Sequence, residues 1–290
     1  MFEAVEGFDG TVRDRYLERL GVEVEPPSVG ELRRIVNRQV ERVPYETLWI
    51  QAGERWTVDP GAAARRIALS GRGGYCYHLN GALGLLLTSL GYAVHAHVGG
   101  VHGPERSPEA LGNHLVLTVT GLPDDQNPAG AWYVDAGLGD ALHDPLPLEP
   151  GEYQQGPFRL VLERLDADRW HLQHDPTGGF GGMEWTLGPA RTGDFVAKHT
   201  WLSTDPDSGF VQVPMAERRD ATAIDVVRGL TRSRIGAGAY VSDPFANEHA
   251  YFGLLADDFG IRFDPGSPQR ERVWRAALAA HRAWETRGRT

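Results

Sequence analysis

A single cysteine, Cys76, serves 290 residues, so no disulfide can close within the chain, as expected for a reducing compartment. Long apolar runs are missing as well. The longest, around Leu83 to Leu87, falls far short of the roughly 20 residues needed to cross a bilayer. The first residues, Met1 to Asp9, are acidic and have neither a basic start nor an apolar stretch, so no export signal is expected and the cytoplasm is the expected location. Basic charge is in deficit, with 29 Lys and Arg against 39 Asp and Glu and a net charge of −10. That balance argues against nucleic acid or an anionic membrane as partner, though a nest of backbone N–H groups can still hold a phosphorylated ligand. Internal repeats and low-complexity linkers are absent.

What is present is an ordinary globular composition, 41% hydrophobic and 23% charged, with 36 Gly and 19 Pro promising many turns. The length fits one elaborate domain or two to three small ones. The first third reads as helical. Val12, Tyr16, Leu17 and Leu20 share a helical face and stop at Gly21. Ser28 with Glu31 opens a second helix over Leu32, Ile35, Val36 and Val40, and Val43-Pro44-Tyr45-Glu46 breaks it. Asp59-Pro60 is an N-cap with a first-turn proline, leading to a stop at Ser70-Gly71. From about Ala93 the period shifts towards two. Leu115 to Thr120, Trp132 to Val134, and a hairpin of Phe158–Glu163 with Arg169–Gln173 predict a mostly antiparallel sheet or small open barrel. Beyond Trp201 the pattern is mixed, with a short strand expected near Phe210 to Val213 and helices at Ala250–Phe259 and Gln269–Trp284. Helices first and strands second give an α+β fold.

The chain is organised around Gly71 to Asn80. Cys76 follows a Gly-rich bend and precedes Leu79, Leu83, Leu86, Leu87 and Leu90, one apolar stripe of a helix that ends at Gly91. A helix N-terminus favours thiolate over thiol. A lone cysteine is more often a small buried hydrophobe, but a thiol nucleophile needs a base and the base an orienting acceptor, and candidates follow in order. His114 starts the strand Leu115-Val116-Leu117, and Asp135 ends Trp132-Tyr133-Val134. Taken singly, His114 is a strand-edge histidine and Asp135 a turn former before Gly137; the ordered set Cys76, His114, Asp135, each at an element boundary, points to a thiol nucleophile with a base and an orienting carboxylate.

Arg72-Gly73-Gly74-Tyr75-Cys76-Tyr77 with Asn80, Val134-Asp135-Ala136-Gly137-Leu138-Gly139, Leu202 to Phe210, and Val43-Pro44-Tyr45-Glu46-Thr47-Leu48 together resemble the arylamine N-acetyltransferase family, in family order and over nearly the whole chain. The resemblance implies a helical bundle (1–92) carrying the nucleophile, a central antiparallel β-barrel (93–200) carrying His and Asp, an α/β lid (201–290) with a C-terminal helix, and a cysteine-protease-like core. It implies Cys76 as acyl acceptor, His114 as base and Asp135 as its orienting carboxylate. It implies acetyl-coenzyme A as donor, bound by Gly137, Leu138, Gly139, Ser203 and Thr204, with no metal. Tyr45, Tyr75, Tyr77 and Leu138 are then the pocket for an arylamine or hydrazine. The sequence departs from the family pattern at His78, Tyr77 and Leu138, where the family usually has Glu or Gln, Phe, and Phe; His78 reads as a tolerated surface change. Tyr45 replaces a Phe and adds a hydroxyl.

Three other readings stay open. Relatives of the family pass a larger carrier-bound acyl chain to an aryl amine, and Leu138, Tyr77 and the Gly-rich loop Thr177 to Gly182 would suit a larger group. A metal-dependent hydrolase would use His95, His97 and His102, although solvent-facing strand positions account for the first two. A cysteine protease or transglutaminase shares the triad but needs an open groove, and a non-catalytic binding protein would be expected to have lost a triad member. Trp170, Trp185 and Trp201 read as core, and Arg270, Arg272, Arg275 and Arg282 as a solvated helix face.

Overall fold

The computed structural model describes residue 2, residues 7–140 and residues 142–287. Helices come first, and their ends are written in the sequence. α1 (Gly10–Leu20) starts at Asp9, whose carboxylate accepts the Val12 N–H, and stops at Gly21 in the left-handed region. α2 (Val29–Arg42) starts at Ser28, whose hydroxyl accepts the Glu31 N–H. After a two-residue strand β1 (Tyr45–Glu46) and a short helix α3 (Leu48–Gln51), α4 (Pro60–Ser70) begins at the Asp59 cap with proline in its first turn.

α5 (Cys76–Ser89) is the centre of the fold. The expected one-sided stripe is an understatement, because every residue from Cys76 to Leu87 is buried. With Gly81, Ala82 and Gly84 on its other faces, this helix is apolar or small all round and is encased by its neighbours, α4 on one side and the central sheet on the other.

That sheet has eight strands: β2 (Ala93–His102), β3 (His114–Thr120), β4 (Trp132–Val134), β5 (Leu146–Pro147), β6 (Gly151–Gln155), β7 (Phe158–Arg164), β8 (Arg169–Gln173) and β9 (Gly182–Thr186). They lie in the order β5-β4-β3-β2-β9-β8-β7-β6, all antiparallel, as a nearly closed barrel-like sheet. Trp170, Trp185, Leu160, Leu162, Leu172 and Met183 form its core. The expected hairpin of Phe158–Glu163 with Arg169–Gln173 is β7–β8.

α6 (Val196–Thr204) and α7 (Gly209–Gln212) lead into β10 (Met215–Arg219), β11 (Ala223–Arg228), β12 (Thr231–Gly236) and β13 (Tyr240–Val241), followed by α8 (Glu248–Phe259) and α9 (Pro268–Thr286). Here the structure departs from one expectation and extends another. Phe210 to Val213 is not a strand: the Ser208 hydroxyl accepts the Phe210 N–H and starts the single turn α7. The Val43-Pro44-Tyr45-Glu46 break is more than a break, because β1 pairs with β10 and makes a five-stranded sheet ordered β1-β10-β11-β12-β13, with Tyr45 opposite Glu217. The last helix is less solvated than expected, since Arg272 donates to the Ala52 carbonyl and Arg270 to Glu248. Trp201 is 43% exposed rather than packed.

Candidate functional site

The bend before Cys76 is held from below. Arg72 is buried and grips Glu46 with two parallel bonds of 2.7 and 2.8 Å, and it reaches Glu54 at 3.2 Å. Burial alone would weaken its charge, but the Glu46 and Glu54 carboxylates more than offset that and hold the guanidinium charged. A Cβ on Gly73 would overlap the Pro44 carbonyl oxygen, and one on Gly74 (φ +142°) would sit 2.5 Å from His78 Nδ1. The two glycines therefore let the chain turn between β1 and α5.

Cys76 emerges as the first residue of α5, and its thiol lies 3.4 Å from the Asn113 carbonyl oxygen. Asn113 is fixed by a pair of bonds from its side-chain amide to the Val101 backbone, at 2.8 and 2.9 Å. The next residue, His114, opens β3, and its Nε2 meets Asp135 Oδ2 at 2.7 Å. Asp135 follows β4, the neighbour of β3, so antiparallel pairing places the two side chains together.

Asp135 accepts three further bonds: from Tyr133 OH (2.9 Å), the Gly137 N–H (2.8 Å) and Asn80 Nδ2 (2.7 Å). Asn80 lies one helical turn beyond Cys76. It also donates to the Leu115 carbonyl and accepts from the Ala136 N–H, tying α5 to β3 and to the loop after β4. Neither Tyr133 nor Asn80 was assigned this part from sequence. Asn80 stands in the motif, but its partners are 35 and more positions away.

Electrostatically, burial works against a charged His114 and is the largest single influence on it. The Asp135 and Cys76 charges and hydrogen bonds to both overcome it, raising the imidazole to about 10. With Nε2 on Asp135, Nδ1 remains for Cys76.

Tyr45, Cys76, Val101, Asn113, His114, Gly137, Leu138, Phe180, Leu202 and Phe210 enclose a cavity of about 150 Å³. Leu138 and Tyr45 both stand in its wall. Phe180, from the Gly-rich loop, is an addition. Gly137 presses against the helix rather than only against a ligand: a Cβ there would come within 2.7 Å of Cys76 Cα and 2.9 Å of Asn80 Nδ2.

The remaining residues fall elsewhere. Tyr75 and Tyr77 are fully buried behind the cavity, with Tyr75 OH on His199 Nδ1 (2.5 Å) and Tyr77 OH on the Gly112 carbonyl (2.7 Å). Gly139 (φ +80°) lies against the Tyr45 ring and Glu217. Ser203 and Thr204 line a separate cavity of about 550 Å³ beside Trp49, Trp56 and His199. Their hydroxyls donate to the His199 and Thr200 carbonyls of the preceding turn of α6. His78 is no surface position. Its side chain points back along α5 into an aromatic cluster of Trp49, Trp56, Tyr75 and His199, where burial, aided by Arg66 and His199, drives its pKa well down.

The histidines of β2 do not meet. His95 is exposed beside Thr120 Oγ1, while His97 is buried, contrary to expectation, between Thr118 Oγ1 and the Gly188 carbonyl. His102 has the opposite strand parity and stacks on His171. Among the described residues no group of three or more His, Cys, Asp or Glu is placed to hold a metal ion, and no helix is long and apolar enough to cross a membrane.

A sequence model of the family described as N-acetyltransferase matches residues 28–267. The arylamine N-acetyltransferase of Mycolicibacterium smegmatis is 32% identical over 206 residues, covering 68% of this chain and 72% of its own length. The pineal gland isozyme NAT-3 of Gallus gallus, also an arylamine N-acetyltransferase, is 31% identical over 212 residues, covering 66% and 71%. The structure of Mycobacterium marinum arylamine N-acetyltransferase in complex with CoA superposes with a TM-score of 0.79 at 27% identity, over 91% of this chain and 97% of that one. The chain belongs to the arylamine N-acetyltransferase family.

Proposed function

We propose that this protein moves an acetyl group from acetyl-coenzyme A, through a thioester on Cys76, to an aromatic amine or hydrazine. The observation that carries the reading is His114, seated between the Asp135 carboxylate and Cys76 and held as imidazolium. An imidazolium beside the sulfur favours thiolate, the nucleophilic form. A cysteine at a helix start, facing a histidine that opens one strand and an aspartate that follows the next, supports the reading of a cysteine-protease-like core.

The thiolate attacks the thioester carbonyl, and a C–S bond to Cys76 forms. Charge collects on the carbonyl oxygen, where the backbone N–H groups of Cys76 and Tyr77, at the start of α5, can receive it. The intermediate collapses by breaking the C–S bond to coenzyme A, whose sulfur takes the His114 proton. A neutral amine then attacks the Cys76 thioester, His114 accepts the amine proton, and the cysteine leaves as thiolate.

Asp135, clamped by Tyr133, Asn80 and Gly137, keeps the imidazole in line. Gly137 and Leu138 form the side of the cavity over which the thioester enters, with Gly139 beyond them. A cavity of about 150 Å³ lined by Leu138 and Phe180 favours a short acyl group over a larger carrier-bound chain.

Steady-state kinetics with acetyl-coenzyme A and an arylamine tests the reading. Parallel double-reciprocal lines are expected, with loss of transfer in Cys76→Ala. Intersecting lines, or a variant that still transfers at an appreciable rate, would overturn it.

A further inference from the structure

Tyr45, in the wall of the Cys76 cavity, carries one uncommitted polar group. The residue is 9% exposed and lines that cavity. Among the described residues its hydroxyl has no hydrogen-bond partner. The neighbouring tyrosines are all committed: Tyr75 to His199, Tyr77 to Gly112, and Tyr133 to Asp135. So are the other polar groups of the wall, because the Asn113 amide is spent on Val101 and His114 on Asp135 and Cys76. Everything else facing the cavity is apolar, from Val101, Leu138, Phe180, Leu202 and Phe210, or is the backbone of Gly137.

The ring is fixed in place. β1 pairing sets Tyr45 opposite Glu217, Phe210 meets it edge-on at 6.4 Å, and Gly139 packs so close that a Cβ would lie 3.3 Å from the ring. Burial, then the charges of Cys76, Glu217, Tyr75 and Asp140, keep its proton on far above the usual phenol range, so the group is a hydrogen-bond donor.

We propose that the Tyr45 hydroxyl donates to the acyl group carried on Cys76, and that the site therefore prefers short acyl thioesters with an oxygen beyond the carbonyl, such as 3-hydroxyacyl groups, over plain alkanoyl groups of the same length. The inference rests on the acyl-transfer reading above. An acyl group tethered to Cys76 shares the small cavity with Tyr45, so a hydroxyl on its chain is held within the same walls. A plain alkyl chain displaces water from the phenol and gives nothing back, and a site built around a polar group discriminates against such an analogue.

The test is a competition. Protein is mixed with equal amounts of butyryl- and 3-hydroxybutyryl-coenzyme A, quenched at early times, and the two Cys76 adducts are counted by mass spectrometry. Acetyl-coenzyme A alone runs in parallel. The hydroxyacyl adduct is expected to lead at least tenfold in the wild type, and the ratio to fall towards one in Tyr45→Phe, which keeps the ring. A wild-type ratio near one, or a ratio that Tyr45→Phe leaves untouched, overturns the inference. If acetyl-coenzyme A labels Cys76 in that event, acyl transfer stands and only the role of Tyr45 falls; if it does not, both fall together.

Discussion

Gly137 and Cys76 are packed backbone to backbone, so tightly that a methyl group on Gly137 would lie 2.7 Å from Cys76 Cα and 3.0 Å from its Cβ. The loop after β4 thus sets the position of Cys76. Gly137→Ala is expected to push Cys76 away from His114 and to lower the acylation rate by about 10²-fold, the usual consequence of a misplacement near 1 Å. The melting temperature and the acylation rate, measured on one preparation, check it. A variant of wild-type rate would show that the contact is slack.

His114 keeps its proton to about 10 because Asp135 and Cys76 outweigh burial. The stability that this raised value lends is complete below the ordinary 6.5 and is lost as pH climbs through about 10. Asp135→Asn removes the larger of the two charges. The imidazole should then titrate well below its wild-type value, as read by NMR of the ring nitrogens, and transfer should fall towards about 10⁴-fold, as when an orienting carboxylate is lost elsewhere.

Asn80 acts on Asp135 rather than on substrate. Asn80→Ala leaves Asp135 with one donor fewer and frees the Ala136 N–H. A fall in kcat of about tenfold or more is expected with little change in KM, together with a shift in the His114 titration that a merely structural role would not produce.

Glu217 lies behind Tyr45, where burial and then Asp140 raise its carboxyl to about 8. The unfolded chain releases that proton near 4.5, so stability from this group is full below that pH and declines as pH rises through about 8. Glu217→Gln should flatten the decline and melt higher than wild type at about pH 9. Thermal scans between about pH 5 and pH 9 decide it.

Arg72 and Glu46 are both buried and joined by two bonds. Glu46→Ala leaves the buried guanidinium with Glu54 alone and should cost up to about 3–5 kcal/mol of stability, read by denaturant unfolding. Activity per folded molecule should fall too, since this pair carries the bend that places Cys76.

Much of this was legible in the sequence because it depends on local rules. The caps Ser28 and Asp59 mark helix starts, Gly21 marks the end of the first helix, and the apolar run after Cys76 marks α5. His114 and Asp135 stand out because each sits at a strand end. The unread parts depend on partners far along the chain. β1 has two residues and exists only because β10 lies beside it. The strand β12 carries Arg232 and Arg234, which look like surface until Asp225 on β11 is seen opposite. His78 looks polar and is buried because α5 points it back under Trp49 and Trp56. Ser203 and Thr204 matched the family motif, yet their hydroxyls answer to their own helix.

The most direct measurement is made without any amine present. Protein mixed with acetyl-coenzyme A and quenched should show one added acetyl group, on the peptide containing Cys76, with an equal amount of free coenzyme A released. An unmodified Cys76, or acetyl transfer that begins only when donor and amine are both present, would contradict the account.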